Sequence, residues 1–531
     1  MSADLAVLGA SIRTLDPQRP FASAVAVRDG SIVAVGSDDE IRRECDARTE
    51  VLDGRSLALV PGLVDAHIHP FKPEWVAGAD LTRCGTLADL EAELARERER
   101  TEGDWVLGWG LDYGVFHGRE IEGRSLDDAV AGGPAMVTFM DQHTALATPR
   151  ALELAGVAGA VRFDEGAEVV VREGRPTGEL RENAAMDLVR RVLPPVNERA
   201  RYEAVVRVIG RLNEVGITGV HAMDGTEGTL DLMRELEASG DLTLRSVIPF
   251  TQTPETPFEE MERLVTLRDG HGSLWRRGVA KFFIDGVVDT GTGWLYEPDT
   301  EGDGTEPFWP DPERYAQAVA LFAGAGFQCV THATGDRGVR AALDAYLAAD
   351  SPSRALHRVE HVETLQDSDL PRFASEGVAA SMQPLHMQWR RGDQTDSWAA
   401  RLGPERTARA WRTRDLLAGG TLVPLGSDWP VAQYDPRIGL AWARVRRTPG
   451  DPDAPVFEPE QRLTGLESLD GYTVAAARVL GEDHLSGRIA RGFRADLTAF
   501  AEDPVEVEAD ELIDLPVTLT IVAGKIVHRT S

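Results

Sequence analysis

Short stretches in which apolar and polar residues alternate stand at both ends of the chain. Residues 4–35 and 487–528 consist of such stretches separated by glycine, aspartate and proline, a pattern typical of β-strands joined by turns. The runs VRDGSIVAVG and TIVAGKIVH each predict a hairpin, because a glycine-containing turn separates two apolar segments. Neither end has enough strands for a stable sheet of its own. We therefore expect residues 1–58 and 482–531 to form one small composite β-sandwich domain.

The middle of the chain has a different pattern, in which β-rich apolar runs are followed by segments with helical spacing. The strand candidates are 57–69, 216–224, 243–251, 278–286, 327–336, 357–364, 377–384 and 421–431. Helical patterns lie between some of them, at 202–215, 315–325 and 339–349. A strand followed by a helix, repeated around the whole set, predicts an α/β protein with a (β/α)8 TIM-type barrel over residues 59–481. An open, doubly wound sheet is the alternative.

One connection is far longer than a barrel usually needs. The first strand candidate ends near His69 and the second begins near Gly216. We therefore expect residues 71–200 to form a subdomain inserted into the barrel after its first strand. Because insertions on the catalytic side of a barrel often cover or line the site, this one is interpreted as a lid or a substrate wall.

Composition limits the classes of protein to which this chain can belong. The 531 residues are 42% hydrophobic, which is globular usage, and carry a formal net charge of −31. That charge disfavours nucleic acid and anionic membranes as partners. No run of 18 apolar residues and no signal peptide is visible, and the three cysteines are scattered and odd in number. We expect a cytoplasmic protein that binds a small-molecule substrate, and a homodimer is compatible with the sequence.

Metal-ligating residue types recur where the strand candidates end. They are His67, His69, Lys281, His332, His361 and Asp428. Catalytic groups of such barrels stand at the carboxyl ends of the strands, and residues i and i+2 of a strand share a face, so His67 and His69 can reach one ion. A lone histidine near a strand end is more often a packed core residue. Lys281 could equally lie at the surface or pair with Asp285, so the argument depends on the whole set.

The chemistry of this set suits a divalent metal. Neutral imidazoles and a carboxylate bind zinc and similar ions. A lysine that is held neutral can capture carbon dioxide as a carbamate, which offers oxygens to two ions. A hydroxide activated by the metal is a nucleophile at neutral pH, and Asp428 could pass its proton to a leaving nitrogen.

The motifs together resemble those of the amidohydrolase superfamily. The segments that carry the resemblance are PGLVDAHIHP, AKFFIDG, THATGD, VEH and GSDWP. The terminal segments GRIARGFRADLTAF and VTLTIVAGKIVH resemble the composite β-domain of that superfamily. The long insertion, with DQHTALATPRALELAGV and TGELRENA, and the segment SMQPLHM resemble the amidohydrolase 3 branch, which includes N-substituted formamide deformylases. The resemblance covers nearly the whole chain.

This resemblance implies a divalent-metal hydrolase with one or two ions, of which zinc is the default. It implies the following ligands: His67, His69 and Asp428 at the more buried metal, His332 and His361 at the second, and Lys281 bridging both as a carbamate. The loop after Lys281 reads DGVVDTGTG where members of the branch often carry DGSLGS. That difference changes the part of the loop that faces the substrate.

The expected function is hydrolysis of a non-peptide carbon–nitrogen bond, in an amide or a formamide. The attacking group would be a metal-activated hydroxide, with Asp428 as the proton shuttle. Two alternatives stay open. One is a one-metal deaminase or cyclic-amide hydrolase on the same barrel, and the other is a non-catalytic barrel that binds a ligand as a regulator.

Four further side chains are candidates for substrate binding: His386, Arg337, Trp294 and His143. His386 follows the seventh strand candidate, and His143 belongs to the insertion. Trp294 lies near the expected mouth of the barrel, where packing in the core is the plainer alternative. Arg337 stands beside Asp336 at a helix start, so a role in capping that helix is equally compatible.

Overall fold

The computed structural model describes residues 2–72, 77–163, 167–195 and 197–530. The strands in this part of the chain are β1 (Leu5–Arg13), β2 (Phe21–Arg28), β3 (Ser31–Gly36), β4 (Glu50–Asp53), β5 (Ala58–Pro61), β6 (Leu63–Ile68), β7 (Ala79–Asp80), β8 (Val106–Leu111), β9 (Ala135–Phe139), β10 (Thr144–Ala147), β11 (Glu168–Arg172), β12 (Arg175–Arg181), β13 (Ile217–Ala222), β14 (Arg245–Thr251), β15 (Trp275–Phe283), β16 (Gln328–Ala333), β17 (Arg358–His361), β18 (Ala379–Ser381), β19 (Leu497–Phe500), β20 (Val517–Val522) and β21 (Lys525–Arg529).

The helices are α1 (Asp38–Arg42), α2 (Leu87–Arg100), α3 (Pro149–Leu154), α4 (Glu182–Arg190), α5 (Glu198–Glu214), α6 (Glu227–Ser239), α7 (Phe258–Val265), α8 (Pro312–Gly324), α9 (Asp336–Ala348), α10 (Leu370–Glu376), α11 (Ser397–Leu402), α12 (Pro404–Thr407), α13 (Thr413–Ala418), α14 (Pro436–Val445), α15 (Gly465–Gly471) and α16 (Val474–Val479). None of these helices combines the length and the apolar character that crossing a bilayer requires.

The two ends of the chain join in one sheet. Its strand order is β21-β20-β19-β5-β1-β2-β3, with β4 also paired to β1. Both expected hairpins are present, as the antiparallel pairs β2–β3 and β20–β21. The ends meet where β19 pairs antiparallel with β5. The hydrogen bonds form a single continuous sheet to which both ends contribute strands. Buried side chains from both ends, among them Val25, Leu59 and Leu497, form one core.

Seven parallel strands form most of the barrel. They follow one another in the order β6-β13-β14-β15-β16-β17-β18, so each is beside its predecessor along the chain. The eighth segment is not a regular strand, yet it closes the ring. Ala380 of the last strand and Met382, just after it, donate backbone hydrogen bonds to the carbonyls of Leu422 and Pro424, each at 3.0 Å. Ala66 of the first strand donates to Leu425, also at 3.0 Å. The predicted barrel is therefore found, and the open sheet is wrong.

The irregular eighth segment has a local cause. Pro424 has no N–H group to donate to a neighbouring strand, so a regular ladder cannot form around it.

The first strand candidate is divided in the structure, because β5 belongs to the terminal sheet and β6 to the barrel. Gly62 separates them, and a Cβ at this position would lie 2.3 Å from Thr218 Oγ1. The chain therefore crosses from one sheet to the other at a point of close packing.

The three predicted helices are present and start earlier than their apolar patterns suggest. They correspond to α5, α8 and α9. The side chain of Asn197 accepts hydrogen bonds from two backbone N–H groups at the start of α5. Asp311 caps α8, and Pro312 occupies its first turn. Polar caps and a proline extend a helix beyond its apolar stripe, which explains the early starts.

A second sheet lies between the first barrel strand and α5 along the chain. Its order is β11-β12-β10-β9-β8-β7, and α2, α3 and α4 accompany it in sequence. This sheet falls within the expected insertion at residues 71–200, of which residues 73–76, 164–166 and 196 are outside the described part. The domain boundaries stay predictions.

Candidate active site

Four histidines surround Asp428 at the carboxyl ends of the barrel strands. His67 Nε2 and His69 Nε2 lie 3.2 Å and 3.1 Å from Asp428 Oδ1. His361 Nδ1 lies 3.9 Å from Asp428 Oδ2, and its ring centroid is 4.4 Å from that of His332. All five side chains are buried. The fold therefore brings together groups that are up to 361 residues apart in the chain, counted from His67 to Asp428.

Three of these groups are close enough to hold one ion. His67, His361 and Asp428 each offer a ligand atom, and those atoms lie within 4.8 Å of one another. The resemblance had placed His361 at a second ion, apart from His67 and Asp428. The division of the ligands between one or two ions stays a prediction.

Lys281 lies on β15 and is completely buried. The alternative that it is a surface lysine is therefore wrong. Its Nζ has no hydrogen-bond partner in the described part of the chain, and it stands 4.8 Å from the centre of the Phe283 ring. Asp285 does not pair with it by hydrogen bond, because that carboxylate accepts from the backbone N–H groups of Trp294, Thr334 and Gly335. Burial lowers the pKa of Lys281 to about 8.

The electrostatics of the cluster suit a cation. Burial lowers the pKa of His69 to about 4 and holds the pKa values of His332 and His361 well below the usual range, so these rings are neutral. Burial alone would raise the pKa of Asp428, but the charge on His67, whose own pKa Asp428 raises against burial, and hydrogen bonds from His67 and His69 outweigh it and keep the pKa of Asp428 low. Neutral imidazoles beside an ionised carboxylate are the donor set that divalent ions such as zinc bind. The residues present therefore fit a metal.

Beneath the cluster lies a buried ionic chain that the sequence reasoning missed. Glu360 Oε2 is 2.6 Å from His67 Nδ1, and Glu360 Oε1 is 2.9 Å from Arg358 Nε. Arg358 Nη1 is in turn 2.9 Å from His221 Nδ1. An ionised carboxylate can only accept hydrogen bonds, so Glu360 fixes the hydrogen on His67 Nδ1 and leaves Nε2 available toward Asp428. A signal existed in the sequence, since charged residues at i and i+2 of a buried strand need a partner.

Backbone conformation also marks the site. Asp428, His361 and Val362 have φ values of +58°, +73° and +45°. Residues other than glycine rarely adopt this left-handed region, and such strain is concentrated at functional sites. The strained backbone turns the side chains of β17 and of the eighth segment toward the cluster at the point where these elements end.

A cavity of about 600 Å³ opens above the cluster. Loops of the barrel line it together with segments that connect strands of the second sheet, which contribute Tyr113 and His143. Glu363 and Asp289, which the sequence reasoning did not single out, also line it. Glu363 Oε2 accepts a hydrogen bond of 2.7 Å from Trp398 Nε1. Burial raises the pKa of Asp289 to about 7, and Glu363 adds to the effect.

Two of the four substrate-binding candidates line this cavity. They are His386, whose Nε2 is 3.5 Å from Asp428 Oδ2, and His143. The other two do not line it. Arg337 is exposed and stacks on buried Trp294, with 4.7 Å between the guanidinium and the ring centre. The physical reason is that the Trp294 carbonyl accepts from the Arg337 and Gly338 N–H groups at the start of α9, which ties this pair to a helix end.

A closed parallel barrel with metal-ligand side chains at the carboxyl ends of its strands defines a barrel enzyme. The chain belongs to the amidohydrolase family, because the sequence model of that family matches residues 50–528. The protein is therefore a hydrolase that acts on carbon–nitrogen bonds other than peptide bonds.

Curated relatives match over nearly the whole chain. Protein LONG AFTER FAR-RED 3 of Arabidopsis thaliana is 29% identical, over 98% of this chain and 91% of its own. The N-substituted formamide deformylase of Arthrobacter pascens is 28% identical, over 98% of this chain and 97% of its own. Among solved structures, an uncharacterized metal-dependent hydrolase of Pyrococcus furiosus is 23% identical, with a TM-score of 0.73 over 94% of this chain and all of its own. That structure is similar in fold.

Proposed function

We propose that this amidohydrolase uses a divalent metal to hydrolyse an amide or formamide bond in a small molecule. The observation that carries the proposal is the ring of buried imidazoles around ionised Asp428, with a buried lysine beneath them that has no hydrogen-bond partner in the described residues. An unpaired ammonium in a protein interior is costly, and so is a carboxylate without a compensating charge. A bound cation would compensate the carboxylate, and carbamylation of Lys281 would replace the ammonium with an anion that the cation attracts.

The ligand set follows from chemistry and position. It comprises His67, His69, His332, His361 and Asp428, together with Lys281 if it is carbamylated. The low pKa of Lys281, about 8, supports carbamylation, because only the neutral amine can react with carbon dioxide. Zinc is the first choice of metal for imidazole and carboxylate ligands. When bound, such an ion supplies a nucleophile at neutral pH and polarises a carbonyl group.

Asp428 is the proton carrier in this proposal. Its two oxygens face different neighbours, Oδ1 toward His67 and His69 and Oδ2 toward His386. It is ionised at neutral pH and can therefore accept a proton, which it would deliver to the leaving nitrogen. A cavity of about 600 Å³ would house the substituent on that nitrogen.

The similarity to an N-substituted formamide deformylase supports formamides as the first substrates to test. The experiment combines elemental analysis of the purified protein with an activity screen over N-formyl amines, N-acyl amines and cyclic amides. We expect bound divalent metal and release of formate or another carboxylate. A protein that holds no divalent metal after purification without chelators, and none after it is added back, would contradict the proposal.

A one-metal deaminase or cyclic-amide hydrolase is the second candidate. It is favoured by the compactness of the group formed by His67, His361 and Asp428, which suffices for one ion. Metal stoichiometry separates the candidates, since about two ions per chain with a carbamylated Lys281 supports the first. One ion with ammonia release, or with ring opening of a cyclic amide, supports the second.

A further inference from the structure

His143 enters the cavity from the second sheet, on the turn between β9 and β10. Its ring centroid is 5.3 Å from that of His332, so it stands beside the ligand cluster although it comes from outside the barrel. Its backbone N–H donates to Asp141 Oδ1 at 2.9 Å, which fixes the turn. The side chain is 10% exposed and lines the cavity.

Glu182 holds the His143 ring in one orientation. Its Oε2 is 2.7 Å from His143 Nδ1, and its N–H donates to the His143 carbonyl at 2.6 Å. Its Oε1 accepts from Thr292 Oγ1 at 2.7 Å. Because a carboxylate only accepts, the hydrogen of the ring must be on Nδ1. Glu182 is itself 2% exposed with a φ of +65°, a strained conformation at the start of α4.

The remaining nitrogen of His143 is available to a ligand. His143 Nε2 has no hydrogen-bond partner among residues 2–72, 77–163, 167–195 and 197–530. Because His143 lines the cavity, a ligand there can hydrogen-bond to this nitrogen. Thr292, which completes the arrangement, lies on the loop that follows β15, the strand of Lys281. The second sheet and the barrel therefore share one hydrogen-bonded chain that ends at the cavity.

We propose that His143 is a catalytic residue whose Nε2 hydrogen-bonds directly to the scissile group of the substrate, and that Glu182 and Thr292 are its positioning residues. The inserted sheet then supplies part of the catalytic machinery as well as part of the cavity lining. This inference rests on the proposed amide hydrolysis.

The test compares kinetics of metal-loaded variants on the best N-formyl amine of the wild-type screen. Loss of a direct contact to the reacting group typically costs about 100-fold or more, so we expect His143→Asn to lower kcat/KM by at least that factor, mainly through kcat. Loss of an orienting partner costs about 10–100-fold, the range expected for Glu182→Ala. Glu182→Gln keeps an acceptor for Nδ1 and should stay within a few-fold of the wild type.

A second pair of variants, at Thr292, tests the barrel end of this hydrogen-bonded series. Thr292→Ser retains the hydroxyl and should keep most activity, whereas Thr292→Val should lose about 10-fold. Glu120→Gln, an exposed glutamate of the same insertion, is the matched control and should behave as the wild type. Metal content and unfolding midpoint are measured for every variant, so that a misfolded Glu182→Ala protein is recognised and the Thr292 pair decides.

The outcomes are separable. An active wild type whose His143→Asn and Glu182→Ala variants keep kcat/KM within three-fold, at equal metal content, would overturn this inference and leave the proposed function standing. Equal losses in Glu182→Gln and Glu182→Ala would also overturn it, because an orienting role predicts rescue by the conservative variant. A metal-loaded wild type that hydrolyses no amide would overturn both.

Discussion

At the scale of single residues, the proposed chemistry depends most on Asp428. It contacts His67, His69 and His386 and is the only carboxylate in the compact ligand group. We predict that Asp428→Asn lowers kcat by about 10²–10⁴-fold, the usual worth of a positioned proton carrier. Steady-state kinetics at matched metal content is the measurement. Asp367→Asn, at an exposed site, is the control. A variant that keeps more than a tenth of wild-type kcat would argue against the role of Asp428.

Glu360 would act on the proposed metal site through His67, to which it is hydrogen-bonded. Burial would raise its pKa, but Arg358 and His67 outweigh burial and lower the pKa to about 2, so the carboxylate stays charged under His67. We predict that Glu360→Gln weakens metal affinity by about 10–100-fold, because it loosens the ring and the tautomer of His67. Competition against a chelator measures this. Glu502→Gln, at an exposed position, should match the wild type, and an unchanged affinity in Glu360→Gln would contradict the prediction.

At the scale of elements, closure of the barrel depends on close approach between its first strand and its eighth segment. A Cβ at Gly426 would lie 2.5 Å from His67 N and 2.9 Å from Asp65 Oδ1. Gly426→Ala should therefore push β6 outward, destabilise the protein by about 1–3 kcal/mol and weaken metal binding. Gly210→Ala is the matched control, since nothing lies within 4 Å of a Cβ there. In helix α5 that change should stabilise the protein by up to about 1 kcal/mol. Urea unfolding measures both, and a Gly426→Ala protein as stable as the wild type would be the contrary result.

Pattern and spacing predicted the barrel strands, both terminal hairpins and three helices, and the failures of these predictions have physical reasons. Apolar β-rich runs located the barrel strands, alternation located the terminal strands and helical patterns located three helices, because burial leaves a trace in the sequence. The eighth strand candidate, 421–431, is not a regular strand because Pro424 cannot donate a backbone hydrogen bond. Trp294 was expected near the mouth, and no local pattern reveals that its carbonyl holds the start of α9. The links from Glu360 to His67 and from Glu182 to His143 join distant parts of the chain, so only the folded structure pairs them.

At the scale of the whole molecule, the terminal sheet is tied to the barrel by side chains as well as by the chain itself. Thr498 Oγ1 donates to the Gly216 carbonyl, and Thr520 Oγ1 donates to the Asn213 carbonyl, each at 2.7 Å. These bonds reach the segment that leads from α5 into β13. The terminal sheet thus supports the amino-terminal side of the barrel, while the ligand cluster occupies the carboxyl ends of the strands.

Metal should stabilise this architecture as a whole, because the compact ligand group links β6, β17 and the eighth segment, elements far apart in sequence. An ion that binds only the folded state, at a thousand times its Kd, adds about 4 kcal/mol. For a chain of this length that corresponds to roughly 3–5 °C in Tm. We predict that a chelator lowers Tm by this amount and that zinc restores it, as thermal unfolding would measure. Asp428→Asn, with one ligand weakened, should respond less to the chelator. A wild-type Tm that is insensitive to removal of a metal shown to be bound would mean that the ion does not link these elements.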